Sequence, residues 1–92
     1  MKTVELEGIS YEIIRDEKDG YDEEMLKTRY TDYYKEYDYI VGDIAYSKLR
    51  LKGFYADDSK NAKDINRFRD VDKYIENYCA YGCKYFILKK VK

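Results

Sequence analysis

DYIVGDIAYSKLRLKGFYAD, residues 38–57, is the stretch on which the fold turns. Apolar and polar residues alternate on both sides of Tyr46 and Ser47. A turn centred on that pair, two or four residues long, sets Ile44 against Leu49, Gly42 against Leu51 and Ile40 against Gly53. One face of the hairpin is then Ile40, Ile44, Leu49, Leu51 and Tyr55. The same register puts Asp43 opposite Arg50 on the second face, with Tyr39, Val41, Lys48, Lys52 and Phe54 alongside. Hydrophobic pattern and charge pairing thus agree on one register. Turn chemistry contributes little, because neither Tyr46 nor Ser47 is a residue that primed turns favour. Gly42 and Gly53 fall on the apolar face, where the missing side chains let a helix or a tyrosine ring approach closely.

Outward from the hairpin the pattern alternates between strands and helices. In the N-terminal stretch Val4 and Leu6 oppose Thr3, Glu5 and Glu7, and Ile9, Tyr11 and Ile13 oppose Ser10 and Glu12, which predicts two strands joined near Gly8. DEKDGYDEE, residues 16–24, reads as a turn feeding a helix, with Asp22 as N-cap and Glu23 and Glu24 at the positive helix end. Leu26, Tyr30, Tyr33, Tyr34 and Tyr37 then recur at helical spacing and predict one helix running to about Asp38. Residues 57–69 are polar and turn-rich and read as a long loop. Asp70 or Asp72 can cap a second helix carrying Val71, Tyr74, Ile75, Tyr78 and Cys79 on one face, and Gly82 stands where a helix-ending glycine belongs. Tyr85 to Leu88 are apolar on both sides, as an interior strand covered on both sheet faces requires. The expectation is one α+β domain over residues 1–92: a mainly antiparallel sheet in the order ββαββαβ with two helices packed on it. The first hairpin as a separate β layer, or a partner chain, would cover the remaining face.

At DYIVGDIAYSKLRLKGFYAD, with RYTDYYKEYDY (29–39) before it and YCAYGCKYFILKK (78–90) after it, the chain resembles the YutD-like family of small bacterial proteins. The resemblance runs from about Tyr11 to the end. Ile44 and Ala45 depart from it, standing where a bulkier aromatic such as tryptophan is expected after Asp43, so no role resting on an aromatic there is carried over. The resemblance implies a fold and a cytosolic setting. It brings no activity, cofactor or catalytic residue with it.

The composition narrows the class. Ninety-two residues suit one small core. Eighteen basic against nineteen acidic residues leave a net charge of -1, so no global field draws the chain to nucleic acid or anionic lipid, and binding of that kind needs a local patch. No apolar run approaches the ~20 residues of a membrane span. The N-terminal MKTVELEGIS lacks the basic start and apolar core of a signal peptide. A cytosolic protein without a membrane partner is expected. Thirteen tyrosines stand beside no tryptophan, histidine or proline, and their rings serve as the chain's default core aromatics.

Few constellations carry chemistry. Cys79 and Cys83 form a candidate thiol pair, but two cysteines without a histidine do not meet the ligand count of a zinc site, so no metal and no cofactor are expected. Their CxxxC spacing differs from the CxxC of thioredoxin-like sites, and both read as small hydrophobes packed at a helix–strand seam. The acidic residues Asp16, Glu17, Asp19, Asp22, Glu23 and Glu24 fail the calcium-loop pattern, since placing Gly20 at the required glycine puts Arg15 at the first ligand position. The second hairpin face is the richest surface: Tyr39, Asp43, Lys48, Arg50, Lys52 and Phe54 mix cations with rings. Without the first strand the order is βαββαβ, that of RNA-recognition folds, and Lys52, Gly53 and Phe54 match the start of their third-strand motif, from which Tyr55 and Ala56 depart. The leading expectation is a non-enzymatic cytosolic module that binds a protein or macromolecular assembly through a tyrosine-rich, mixed-charge surface. An RNA-binding domain on the basic and aromatic face is the second reading, and an enzyme with Asp43 or a cysteine as reactive group the third. A homodimer is a further partner the sequence admits.

Overall fold

In the computed structural model, which describes residues 2–18, 20–45, 48–60, 67–78 and 84–91, the second hairpin has the register its sequence predicts. Strand β3 (Tyr39–Ala45) pairs antiparallel with β4 (Lys48–Phe54), with Ile44 opposite Leu49, Asp43 opposite Arg50 and Ile40 opposite Gly53. The N-terminal strands β1 (Thr3–Leu6) and β2 (Ile9–Glu17) turn at Glu7 and Gly8, whose φ values of 49° and 84° are the positive pair a type I′ turn demands. Strand β5 (Lys84–Lys90) lies between β2 and β3, giving one five-stranded antiparallel sheet in the order β1-β2-β5-β3-β4.

The first hairpin is therefore no separate layer. It extends the sheet through β2 and β5, and the two helices divide the faces between them. Helix α1 (Glu23–Arg29) lays Leu26 on Ile40, Leu49, Phe86 and Leu88. Helix α2 (Val71–Tyr78), with the 3-10 turn Phe68–Asp70 before it, packs Val71 and its neighbours on Val41, Phe54 and Ile87. Phe86, Ile87 and Leu88 on the central strand are all fully buried, as a strand apolar on both sides must be. The glycines do what their positions predict: a Cβ at Gly42 would stand 2.3 Å from Phe86 Cζ, and one at Gly53 2.3 Å from Tyr37 Cδ2.

The helix expected to reach Asp38 stops early. Asp22 caps it, its Oδ1 accepting from the Met25 N–H at 3.1 Å, but the helix ends at Arg29. Tyr30 leaves it with extended backbone (φ -69°, ψ 134°), and after Thr31 a 3-10 helix covers Asp32–Glu36. The cause is tertiary. Tyr30 turns into the core, where its hydroxyl and that of Tyr11 hydrogen bond at 2.8 Å with the rings edge to face. A buried ring with a satisfied hydroxyl outweighs the weak helix preference of Tyr, Thr and Asp.

The chain after β4 is tied back rather than loose at its ends. The Phe68 N–H donates to the Tyr55 carbonyl at 3.0 Å, and the Arg69 N–H to Asp57 Oδ1 at 2.8 Å. Asp57, not Asp70 or Asp72, thus supplies the side-chain acceptor at the head of the segment that becomes α2. The predicted turn residues Tyr46 and Ser47, the thiol pair Cys79 and Cys83, and Gly82 all lie outside the described residues. Among the described residues no helix is long and apolar enough to cross a membrane.

Candidate functional site

The six residues singled out on the second hairpin face separate into two groups once α2 is in place. Tyr39 stacks on Phe68 with ring centroids 3.7 Å apart, and Phe54 is 1% exposed with Tyr74 edge-on at 5.4 Å. Phe54 is a core residue under α2, and Tyr39 is half-buried against that core beneath the 3-10 turn that precedes the helix. Lys48 and Arg50 are exposed and Lys52 half-buried, so the cations form a rim along β4, the last strand of the sheet. Lys52 keeps its ammonium 6.0 Å from the Phe54 ring centroid, which holds its stem on the apolar surface. Strand parity was legible in the alternation. The cover was signalled by the apolar face of Val71, Tyr74 and Ile75, which needs a sheet surface to bury it.

Asp43 sits beneath this rim. Its side chain is 4% exposed, against 48% for Arg50. The Arg50 Nε donates to Asp43 Oδ2 at 3.1 Å and Nη2 donates to the same oxygen. Asp43 Oδ1 has no hydrogen-bond partner among the described residues. The pair that the register sets on the second face is therefore a buried carboxylate closed over by a half-exposed guanidinium. Such an arginine loses less rotamer freedom on meeting a partner than one swinging in solvent.

Further along the same face Arg15 links β2 to α2 through Asp72 at 2.9 Å and reaches the Tyr85 hydroxyl at 3.5 Å. The Asp72 interaction, more than that with Tyr85, holds the guanidinium pKa above its usual value. Asp16 and Asp22 of the acidic stretch each accept a backbone N–H, from Tyr21 and Met25, at 3.1 Å. Among the described residues no three Asp, Glu, His or Cys side chains gather as metal ligands would.

Two features were not read from the sequence. The first is a series of tyrosine rings leading outward from the core: Tyr11, Tyr30, Tyr34, Tyr33, Tyr37 and Tyr55 follow one another at centroid distances of 4.8–6.1 Å. It reaches the surface at Tyr33, 63% exposed, whose hydroxyl accepts from Tyr37 at 2.9 Å, and turns back through Tyr37 to Tyr55, both buried. The second is a groove of about 320 Å³ between α1 and the start of β4, lined by Glu24, Met25, Thr28, Arg29, Lys48 and Leu49. Its two lining segments lie 19–25 positions apart in sequence, so no local pattern announces it.

A protein-family model described as "Putative antitoxin YutD-like" matches residues 5–89. The chain belongs to the YutD-like family. "Putative antitoxin YutD" of Bacillus subtilis (strain 168) is 42% identical over 87 residues, covering 95% of this chain and 96% of that protein. The solution NMR structure of protein yutD from B. subtilis superposes with a TM-score of 0.84 at 40% identity, covering all of this chain and 84% of that one. The YutD-like resemblance carried by the hairpin and the cysteine-bearing segment thus holds for nearly the whole chain.

Proposed function

We propose that this YutD-like chain is a protein-binding module of the antitoxin kind, which acts by holding a partner protein through the cationic rim of its second hairpin. The observation that carries this reading is the half-exposed Arg50 fixed over buried Asp43, between Lys48 and Lys52 on an outer strand. Arginines held in this way are the residues on which interfaces concentrate their binding energy. The names given to the family and to its Bacillus relative support the same reading, since an antitoxin that works by direct engagement needs a surface and no catalytic group. The partner's facing surface is acidic. Single-stranded RNA fits less well, because stacking bases needs open rings, and Tyr39 is stacked on Phe68 while Phe54 is buried against Tyr74.

Affinity capture from bacterial cytosol tests this, with and without RNase, comparing the native chain with Lys48→Glu/Lys52→Glu. The expected result is a stoichiometric protein that survives RNase and falls at least about tenfold with the charge reversal. Capture that RNase abolishes would assign the rim to RNA instead.

A further inference from the structure

At the end of the sheet opposite the cationic rim, β1 presents its outer edge to water. Ladder parity determines which of its backbone groups face outward. The Ile13 N–H donates to the Lys2 carbonyl at 2.9 Å, and Leu6 meets Ile9 across the two-residue turn, so Lys2, Val4 and Leu6 direct their N–H and C=O at β2. Those of Thr3 and Glu5 therefore point away from the sheet. Both residues are exposed, and among the described residues no strand pairs with them on that side. The buried residues of β1, Val4 and Leu6, are those whose backbone is already taken by β2, and their side chains join the core on the α1 side. Beside this edge a groove of about 260 Å³ opens, lined by Glu5, Leu6, Glu7, Lys27 and Tyr30. Leu6 and Tyr30 are its apolar lining. Lys27 is drawn towards Glu23 at 3.7 Å.

We propose that an extended segment of a partner protein adds to β1 along residues 3–5, with apolar residues alternating with lysine or arginine. The alternation follows from the two sides of the edge. A residue of the added strand opposite Glu5 would share its face, where a cation is matched. Its neighbours in the strand would share the face of Val4 and Leu6, where an aliphatic side chain enters the groove against Leu6 and Tyr30. Charge on this edge is one-sided. Over residues 3–17 the carboxylates are Glu5, Glu7, Glu12, Asp16 and Glu17, and the only base, Arg15, is held by Asp72. Glu5 is exposed and joins no ion pair among the described residues. A second copy of β1 matches it poorly. Antiparallel pairing of the outward groups would set Thr3 opposite the Glu5 of the other copy, with the two Glu5 carboxylates as diagonal neighbours and no cation between them. The same carboxylate that discourages self-pairing selects a basic strand. This surface is separate from the β4 rim, so it adds a second contact to the one under the proposed function.

The test uses the full chain, isotope-labelled, titrated to millimolar concentration with an acetylated eight-residue peptide alternating valine and lysine. The controls are the same peptide N-methylated on the residues that would face β1, and a valine–glutamate version. The expected result is displacement of the Thr3 and Glu5 amide signals and at least about tenfold slower hydrogen exchange there. Affinity should fall at least about tenfold for either control and in Glu5→Lys. It should fall likewise in Thr3→Pro, which removes an outward N–H while keeping Glu5 and the ladder to β2. Equal binding of the N-methylated peptide, or unmoved Thr3 and Glu5 amides, overturns strand addition whatever the variants do. Equal binding of the valine–glutamate peptide overturns the choice of a basic segment. Thr3 and Glu5 exchange that slows with rising protein concentration in the absence of peptide would overturn the proposal too, giving the edge to β1 of a second copy.

Discussion

Arg50 closes over Asp43 across the β3–β4 hairpin, one side chain half in water and the other almost wholly out of it. The two are consequently unequal in what their loss exposes. Arg50→Ala leaves a buried carboxylate with no counter-charge from the hairpin, and is expected to cost about 2–3 kcal/mol, below the full range for deep ion pairs because Arg50 is partly solvated. Asp43→Asn removes the buried charge and leaves an arginine that water can serve, at a cost of about 1 kcal/mol. Urea unfolding of the two variants at neutral pH measures the order. Equal losses would mean that the carboxylate is better hydrated than its burial implies.

Gly42 and Gly53 are predicted to resist even alanine. Ring atoms of Phe86 and Tyr37 stand 2.3 Å from where each Cβ would go, so either substitution must displace an aromatic ring, at a cost of about 1–3 kcal/mol. A double-mutant cycle isolates the cause. Gly53→Ala should cost distinctly less in a Tyr37→Ala background, since the ring it strikes is absent, while Gly42→Ala should cost the same in both.

Asp57→Ala tests the tie at the head of α2. Its side chain accepts the Arg69 N–H at 2.8 Å, and Arg67 Nη1 donates to its carbonyl at 2.9 Å. The backbone contact survives the substitution and the side-chain one does not. A loss of about 1 kcal/mol is expected, as for a helix cap. Faster amide exchange should be confined to 68–72, with β1 and β2 unchanged.

The hairpin was legible because two kinds of information coincide in it: a period of two in hydrophobicity and a charge pair at matching positions. The interior position of β5 was legible in the same way, from apolar residues on both of its sides. The expected cover of the second face was not, because the amphipathic face of α2 says that a sheet is needed without saying which side. Placing the first hairpin there ignored the alternative that β2 pairs with β5. The premature end of α1 was hidden for a subtler reason. Tyr30 with Tyr34 and Tyr33 with Tyr37 still meet at 6.1 and 5.5 Å after the helix has broken, since a 3-10 segment keeps residues at these spacings close. Helical spacing therefore survives where the helix does not, and the residue that breaks it, Tyr11, lies 19 positions away. The rim cations were found, but their separation from Tyr39 and Phe54 depended on α2.

The buried tyrosines give the fold a sharp alkaline limit. Burial raises the Tyr11 hydroxyl far above its usual value, with the hydrogen bond to Tyr30 adding to it. Burial, and then the neighbouring Glu23, pushes Tyr21 up to about 12. Tyr37 is raised first by its hydrogen bond to Tyr33, and Tyr34 and Tyr55 first by burial. In the unfolded chain all of these lose their protons near pH ~10, while the folded chain retains them. The unfolded state then binds fewer protons, so stability is fully present below pH ~10 and falls as pH rises towards the folded-state values. Each fully protected tyrosine contributes at most about 1.4 kcal/mol per pH unit to that slope. Urea midpoints taken from pH ~7 to pH ~11.5 should be level at first and then drop steeply. Tyr11→Phe should be about 1 kcal/mol less stable at neutral pH, because it strands the Tyr30 hydroxyl, yet lose stability less steeply above pH ~10. The native and Tyr11→Phe curves therefore converge on the alkaline side. Curves that stay parallel would show that Tyr11 titrates alike in both states, and that the buried hydroxyl pair does not hold its proton.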